Sequence, residues 1–265
     1  MRSIDALPKN TARALETVVF DLDDTVLDHG VLREDAYRAM FRLREAGLTL
    51  VACTGRPASW AEIVARQWPV SAAIAENGAI AWRRRGAALE LFDPVAPAER
   101  ALRRERIERA AQEIERVYGL LRADDNAGRK TDLTFDIGEH HVVHPDTVRL
   151  AASHAARLGV RTFTSSVHLH LTLDTHDKAT GFAALALDAG ASPVRALRVA
   201  LYVGDSTNDA AAFAAFGTTV GVANVGPWVR ALTIPPRWVT REKMGAGFAE
   251  LAQILATLRG AVPGP

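Results

Sequence analysis

The chain holds one cysteine, Cys53, so no internal disulfide can form and a reducing compartment is the natural setting. Missing too is any apolar stretch near the roughly 20 residues that cross a bilayer, which excludes a spanning helix. Residues 1–10 are polar and lack the apolar segment of a secretory leader. Net charge is nearly absent: 32 basic residues against 31 acidic leave +1, too little for a field that would hold nucleic acid or an anionic membrane. Lysine is scarce, confined to Lys9, Lys130, Lys178 and Lys243. No repeat or low-complexity tract interrupts the sequence. These absences lead to the expectation of a cytoplasmic protein whose partner is neither nucleic acid nor membrane. They leave the oligomeric state open.

What is present is the composition of a folded chain, 48% apolar and 24% charged, long enough for one large α/β domain or two smaller ones. Short β-rich runs alternate with helix-length amphipathic segments, the pattern of a parallel sheet flanked by helices. Strands are expected over 17–20, 48–52, 72–75, 199–203 and 218–222. Helices are expected over 33–46, 57–67, 178–189 and from 248 onward. In the first of these Ala36, Met40 and Leu43 recur at helical spacing and Gly47 supplies the stop, while Pro57 suits the first turn of the second.

The texture changes near Trp82. Arg83-Arg84-Arg85-Gly86 precedes a long charged helix expected over 97–118, and another helix is expected over 145–158. Two segments alternate with period two. Leu133, Phe135 and Ile137 share one face with Asp132, Thr134 and Asp136 opposite, and Val167, Leu169, Leu171 and Leu173 share another with His168, His170 and Thr172 opposite. One apolar and one polar face is the pattern of a half-covered antiparallel sheet. The expected organisation is an α/β protein with a Rossmann-like parallel-sheet core over 11–82 and 176–265 and an inserted α+β domain over 83–175.

In open α/β sheets ligands gather at the carboxyl ends of strands. Three expected strands end in polar constellations: Asp21 and Asp23, then Thr54-Gly55-Arg56, then Asp205, Asn208 and Asp209. Four carboxylates at one edge repel one another unless a cation is present, and a hard ion with oxygen ligands, such as Mg2+, suits them. The same ion would neutralise a phosphate and let a carboxylate approach it. Asp21 and Asp23, two apart at a strand end, can divide the work: one attacks phosphorus and the other gives a proton to the leaving oxygen.

With these motifs the chain resembles the haloacid dehalogenase superfamily along its whole length. Asp-Leu-Asp-Asp-Thr looks like its first motif, which implies Asp21 as nucleophile and Asp23 as general acid/base, with the Asp23 backbone carbonyl a metal ligand. Thr54 looks like the second motif, whose hydroxyl and following amide (Gly55, beside Arg56) hold the phosphoryl oxygens. Lys178 looks like the third-motif lysine. Gly-Asp-Ser-Thr-Asn-Asp looks like the fourth, implying that Asp205 ligates Mg2+, that Asp209 supports the ion directly or through water, and that Asn208 touches phosphate. An insert between the second and third motifs is similar to the C2 cap, and its mixed content, with Glu76-Asn77-Gly78-Ala79 at the junction, to the C2B subtype of Cof-type and sugar-phosphate phosphatases. Two positions depart from the family's pattern: Asp24 stands where relatives usually have glycine, and Lys178 is followed by Ala-Thr-Gly instead of directly by glycine.

The resemblance implies a Mg2+-dependent phosphatase that forms a phospho-aspartate on a small phosphorylated metabolite, a sugar phosphate above all. A phosphohexomutase of similar fold and a non-catalytic binding module are the alternatives. A dehalogenase is disfavoured because halide leaves without a proton, which would give Asp23 no task. Substrate discrimination is expected from the insert, where His168 and His170, with Asp132, Thr134 and Asp136, offer polar strand faces, and Arg129 or Lys130 would meet a second anion. The arginine-rich helix reads as a solvated, ion-paired face because glutamates interleave with its arginines. His140, His141 and His144 lack the spacing of a transition-metal site. Cys53 reads as a small buried residue, and turn geometry alone accounts for Asn77-Gly78.

Overall fold

The computed structural model describes residues 1–165 and 167–261; residues 262–265, the end of the expected core, lie outside them. The chain divides into two compact units, one of residues 1–55, 61–92 and 176–265, the other of residues 56–60 and 93–175. Among the described residues no helix is long and apolar enough to cross a membrane.

The first unit is built on a nine-stranded sheet. In spatial order its strands are Arg2–Ser3, Trp238–Val239, Thr218–Gly221, Ala200–Gly204, Thr17–Phe20, Thr49–Cys53, Ala72–Ala75, Ile80–Arg85 and Ala88–Phe92. Pairing is parallel as far as Ala72–Ala75, and the last two strands join antiparallel. The central strands are buried on both faces, as a sheet covered by helices requires. On one face Val19, Val51, Ile74 and Tyr202 pack with Phe182 from the helix Lys178–Asp188 and Phe213 from the helix Ala210–Ala215. On the other, Phe20 meets Phe248 of the helix Met244–Arg259 with ring centroids 5.2 Å apart.

The second unit carries a four-stranded antiparallel sheet in the order Arg161–Thr164, His168–Thr172, Asp132–Asp136, Leu121–Arg122. The helix Pro97–Tyr118 starts on proline and stops at Gly119, whose φ of 65° suits a residue without Cβ. Its Ile107, Ala110, Ala111 and Ile114 form one stripe that packs with Ala151 and Ala155 of the helix Pro145–Arg157 against Leu133, Phe135, Leu169 and Leu171. Outside that stripe arginines pair with glutamates: Arg103 with Glu99, Arg116 with Glu113, and Arg122 with both Glu108 and Glu115.

Two expectations need correction. The inserted stretch of the second unit begins at Asp93, not at 83, because the arginine run forms a strand of the first unit's sheet: Arg83 opposes Glu90 across the hairpin turning at Gly86 and also pairs with Asp188. The first unit also starts before residue 11, since Arg2–Ser3 pairs with Trp238–Val239 and Ile4 is fully buried. The second correction concerns the polar alternates of Asp132–Asp136, which are not the open face of a half-covered sheet; they are as buried as Leu133 and Phe135. The segment 123–131 covers them with polar partners. Thr134 Oγ1 donates to Asp125 Oδ1, Asn126 bonds the Thr134 backbone on both sides, and Arg129 bridges Asp125 and Asp132. Asp136 accepts four backbone N–H groups, from Gly138, Glu139, His140 and His141.

Candidate active site

The strand Thr17–Phe20 lies between Thr49–Cys53 and Ala200–Gly204 in parallel register, so the residues that follow them, Asp21, Thr54 and Asp205, leave the same edge side by side. Three ladder-like bonds hold the loops there: Asp21 N–H to Val203 O (3.0 Å), Thr54 N–H to Ile74 O (2.9 Å) and Asn77 N–H to Thr54 O (3.0 Å). Asp21, Thr54 and Asp205 are buried, whereas Asp23 is half-buried.

Lys178 is the first residue of its helix, and the Asp177 side chain caps that helix by accepting from the Ala179 and Thr180 amides. Its ammonium, 1% exposed, lies 2.7 Å from Asp21 Oδ1 and donates to Asp209 Oδ1 at 2.7 Å. Burial alone would lower its pKa; the carboxylates of Asp209 and Asp21 outweigh burial and hold it above the usual lysine range. The helix start crosses the Glu76–Gly78 turn so closely that a Cβ on Gly78 would overlap Asp177 O, and one on Gly181 would overlap the Gly78 backbone. Glycine is therefore required at both positions of this crossing.

Oxygens of Asp21, Asp205 and Asp209 all lie within 4.8 Å of one another. Burial, followed by the nearby carboxylates, pushes Asp21 from its ordinary 3.8 up to about 7 despite Lys178, and Asp205 up to about 8. Three buried carboxylates facing one lysine are short of positive charge. Their all-oxygen donor set fits a hard divalent cation.

The three carboxylates are not equivalent. Asp209 accepts from Lys178 Nζ and Tyr202 OH (2.5 Å) on Oδ1, and from the Asp205 (2.8 Å) and Ser206 (3.1 Å) amides on Oδ2. Four donors fill the lone pairs of a carboxylate. Asp209, expected to support the cation directly or through water, lies in that carboxylate group and at the same time orients Lys178 and the Asp205 backbone. The fit is tight: a Cβ on Gly204 would overlap the Asp209 carboxylate. Asp205 keeps more freedom, accepting from Thr25 Oγ1 at 3.3 Å and Asn224 Nδ2 at 3.0 Å.

Beyond the carboxylates, Asn208 Nδ2 donates to Asn77 Oδ1 at 2.9 Å, and a Cβ on Gly55 would come 3.0 Å from that oxygen. Asn77, with φ of 57°, therefore joins the Thr54-Gly55 loop to the Asp205–Asp209 loop, more than turn geometry asks of it. Arg56 sets its guanidinium over the Trp60 ring, 4.1 Å from the centroid. In the second unit His170 Nδ1 pairs with Asp132 Oδ2 at 2.8 Å and stacks on Phe163, while His168 Nε2 meets Glu139 at 3.0 Å. His144 caps the helix that follows it, accepting from the Asp146 amide. Asp124, Glu139 and His140 form a second grouping of potential ligands, all exposed. Cys53 is buried, and burial pushes its thiol far above the usual range.

Two residues at the first site escaped the sequence. Tyr202 had a signal, a hydroxyl within an apolar strand ending in Gly-Asp. Asn224 had none, since it sits in an unremarkable turn past the strand Thr218–Gly221.

Comparison with known proteins agrees with this geometry. Residues 18–90 match the sequence model of a family described as haloacid dehalogenase-like hydrolase. No curated protein matches the chain. Among solved structures, one from Thermoplasma acidophilum is similar with a TM-score of 0.74 at 17% identity, covering 91% of this chain and 98% of its own. A phosphatase of the haloalkanoate enzyme superfamily from Bacteroides thetaiotaomicron is similar with a TM-score of 0.65 at 18% identity, covering 97% and 98%. The sucrose-phosphatase of a Synechocystis species, solved with sucrose and phosphate, is similar with a TM-score of 0.64 at 17% identity, covering 92% and 98%. Residues 18–90 thus match the haloacid dehalogenase-like hydrolase family, and the fold of the whole chain is similar to that of these solved structures.

Proposed function

We propose that the protein is a Mg2+-dependent phosphatase that hydrolyses monoesters of a small phosphorylated metabolite through a phospho-aspartate on Asp21. The observation that carries this reading is the buried Asp21 carboxylate, held 2.7 Å from Lys178 and gathered with Asp205 at the sheet edge. An Asp21 oxygen attacks phosphorus as the ester P–O bond breaks, and Asp23 gives its proton to the departing oxygen. Water activated by Asp23 then attacks phosphorus, releasing phosphate and restoring Asp21. The Thr54 hydroxyl and Gly55 amide hold the phosphoryl oxygens, with Asn208 and Lys178 on the other side and Arg56 near the entering ester. Asp21, Asp205 and the Asp23 backbone carbonyl would hold Mg2+, and Asp209 would act through Lys178 and the Asp205 loop. The bound ion neutralises phosphate charge and so lets an anionic nucleophile approach.

The core residues touch only what all phosphate monoesters share, so leaving-group recognition is assigned to the insert, residues 93–175. The Asp132 carboxylate, held below its usual range by Arg129 and His170 despite burial, accepts the His170 Nδ1 proton. That fixes Nε2 as an acceptor suited to a sugar hydroxyl, with His168 beside it. Sugar phosphates are accordingly the favoured class, in line with the sucrose-phosphatase likeness. The test is phosphate release from a panel of phosphorylated metabolites, with Mg2+ or with a chelator, and with or without a sugar bisphosphate. Mg2+-dependent release needing no bisphosphate supports a hydrolase; conversion of a hexose monophosphate to its positional isomer, without net phosphate release and only with the bisphosphate, points to a mutase; no turnover of any ester overturns the reading.

A further inference from the structure

The Asn224 side-chain amide uses both of its donors and its acceptor on three separate segments. Nδ2 donates to Asp205 Oδ2 at 3.0 Å and to the Asp24 carbonyl at 2.8 Å, and Oδ1 accepts from the Met244 amide at 3.0 Å. The Asp24 carbonyl can only accept and the Met244 amide can only donate, so the orientation of the Asn224 amide is fixed by chemistry. Both backbone partners are non-glycine residues in the left-handed region, Asp24 at φ 53° and Met244 at φ 49°. The Asp24 carbonyl is tied by Asn224 while its side chain accepts from the His29 amide at 3.1 Å. A second tie runs alongside, from the Gly245 amide to Asp28 Oδ1 at 2.9 Å, joining the same helix start to the Leu27–Asp28 strand.

We infer that Asn224 is a positioning residue that sets which oxygen of Asp205 faces the cation and holds the turn through Asp24; this rests on the hydrolase reading above. Asp205 has two oxygens with unequal partners. Among the described residues, Oδ2 is engaged by Asn224 at 3.0 Å and Oδ1 by Thr25 at 3.3 Å. Oδ1, the less tightly held oxygen, would therefore be the one to hold a cation, with Oδ2 kept on Asn224. The amide bonded to Oδ2 stops the carboxylate from rotating, as partners behind metal ligands commonly do. Because the same amide holds Asp24 O, the turn that carries Asp23 is fixed relative to Asp205.

The test compares the full chain with Asn224→Leu, which keeps volume and removes all three bonds, and with the milder Asn224→Ser, which admits water. Circular dichroism establishes that each variant is folded, Mn2+ affinity is read by electron paramagnetic resonance, and p-nitrophenyl phosphate turnover is titrated with Mg2+. Both variants should bind Mn2+ about 10–100-fold more weakly. Turnover should recover in part at high Mg2+ while KM for the ester stays near the parent value, a split that general loosening of the fold would not produce. Folded variants that bind Mn2+ within about twofold of the parent overturn the role of Asn224 and leave the hydrolase reading standing. A parent protein that neither binds Mn2+ nor turns over the ester overturns both.

Discussion

Stripping the divalent cation should make the fold progressively less stable as pH rises. Asp21 moves from 3.8 to about 7 on folding and Asp205 from 3.8 to about 8, chiefly because burial penalises their charged forms. In the unfolded chain both ionise near pH 4, so from there to about pH 8 the folded state binds more protons than the unfolded state. Unfolded minus folded protons is then negative, and stability falls with rising pH across that window. At roughly 1.4 kcal/mol per pH unit, either group alone accounts for about 4–6 kcal/mol. The two are not added, because each raises the other. That is a large share of the roughly 5–15 kcal/mol that holds a domain together. A cation that binds the ionised pair removes the penalty, and at about one hundred times its Kd it adds about 2.7 kcal/mol through binding. Thermal and urea unfolding in chelator and in Mg2+, at about pH 5 and about pH 8, read both effects. The chelated protein should unfold more easily at the higher pH, the Mg2+ increment should grow with pH, and Asp205→Asn should flatten the slope. An equal Mg2+ increment at both pH values, or a chelated protein more stable at the higher pH, would refute the reasoning.

Lys178→Met leaves Asp21 and Asp209 buried without their counter-charge; a loss of about 3–5 kcal/mol in urea unfolding is expected, together with loss of turnover. Asp23→Asn removes both the proton donor and the base for the attacking water, so steady-state turnover of all esters should fall about 10²–10⁴-fold, while the first burst of p-nitrophenol from p-nitrophenyl phosphate, which needs no proton, slows far less. Gly78→Ala places a Cβ on Asp177 O at a φ of 105°, and calorimetry should find it destabilised by more than about 4 kcal/mol, the range of exceptional single substitutions.

The core and its site residues were legible because each chemical group directly follows a short apolar run. Val18, Val19 and Phe20 lead into Asp21, and Leu201, Tyr202 and Val203 into Gly204-Asp205, so strand ends and polar loops declare each other. The strand Ala72–Ala75 and the helix Pro97–Tyr118 have the expected bounds for the same reason, a clean change of composition at each end. The hairpin of Ile80–Arg85 and Ala88–Phe92 was hidden by its arginines, since an edge strand neutralised by Glu90 and Asp188 can carry charge that a central strand cannot. The C-terminal helix begins at Met244, four residues before the expected start, because Gly245 and Gly247 weaken the helical signal. Both glycines are needed for close packing: a Cβ on Gly245 would sit 3.0 Å from Val26 O, and one on Gly247 would overlap Glu242 O. The burial of Asp132, Thr134 and Asp136 could not be read from alternation alone, because a loop with matching polar groups covers them. Asn224 and Tyr202 reach the site only through tertiary contacts, one across 19 residues to Asp205 and one through a strand face.

The central claim is that Asp21 carries the phosphoryl group during turnover. Its most direct measurement is acid quench of the protein with Mg2+ and a rapidly turned-over ester, borohydride reduction, and peptide mass spectrometry. Borohydride converts an acyl phosphate to homoserine, so the expected result is homoserine at position 21, with Asp23, Asp205 and Asp209 unchanged. Turnover with Asp21 unmodified, or modification of another carboxylate, would contradict the account.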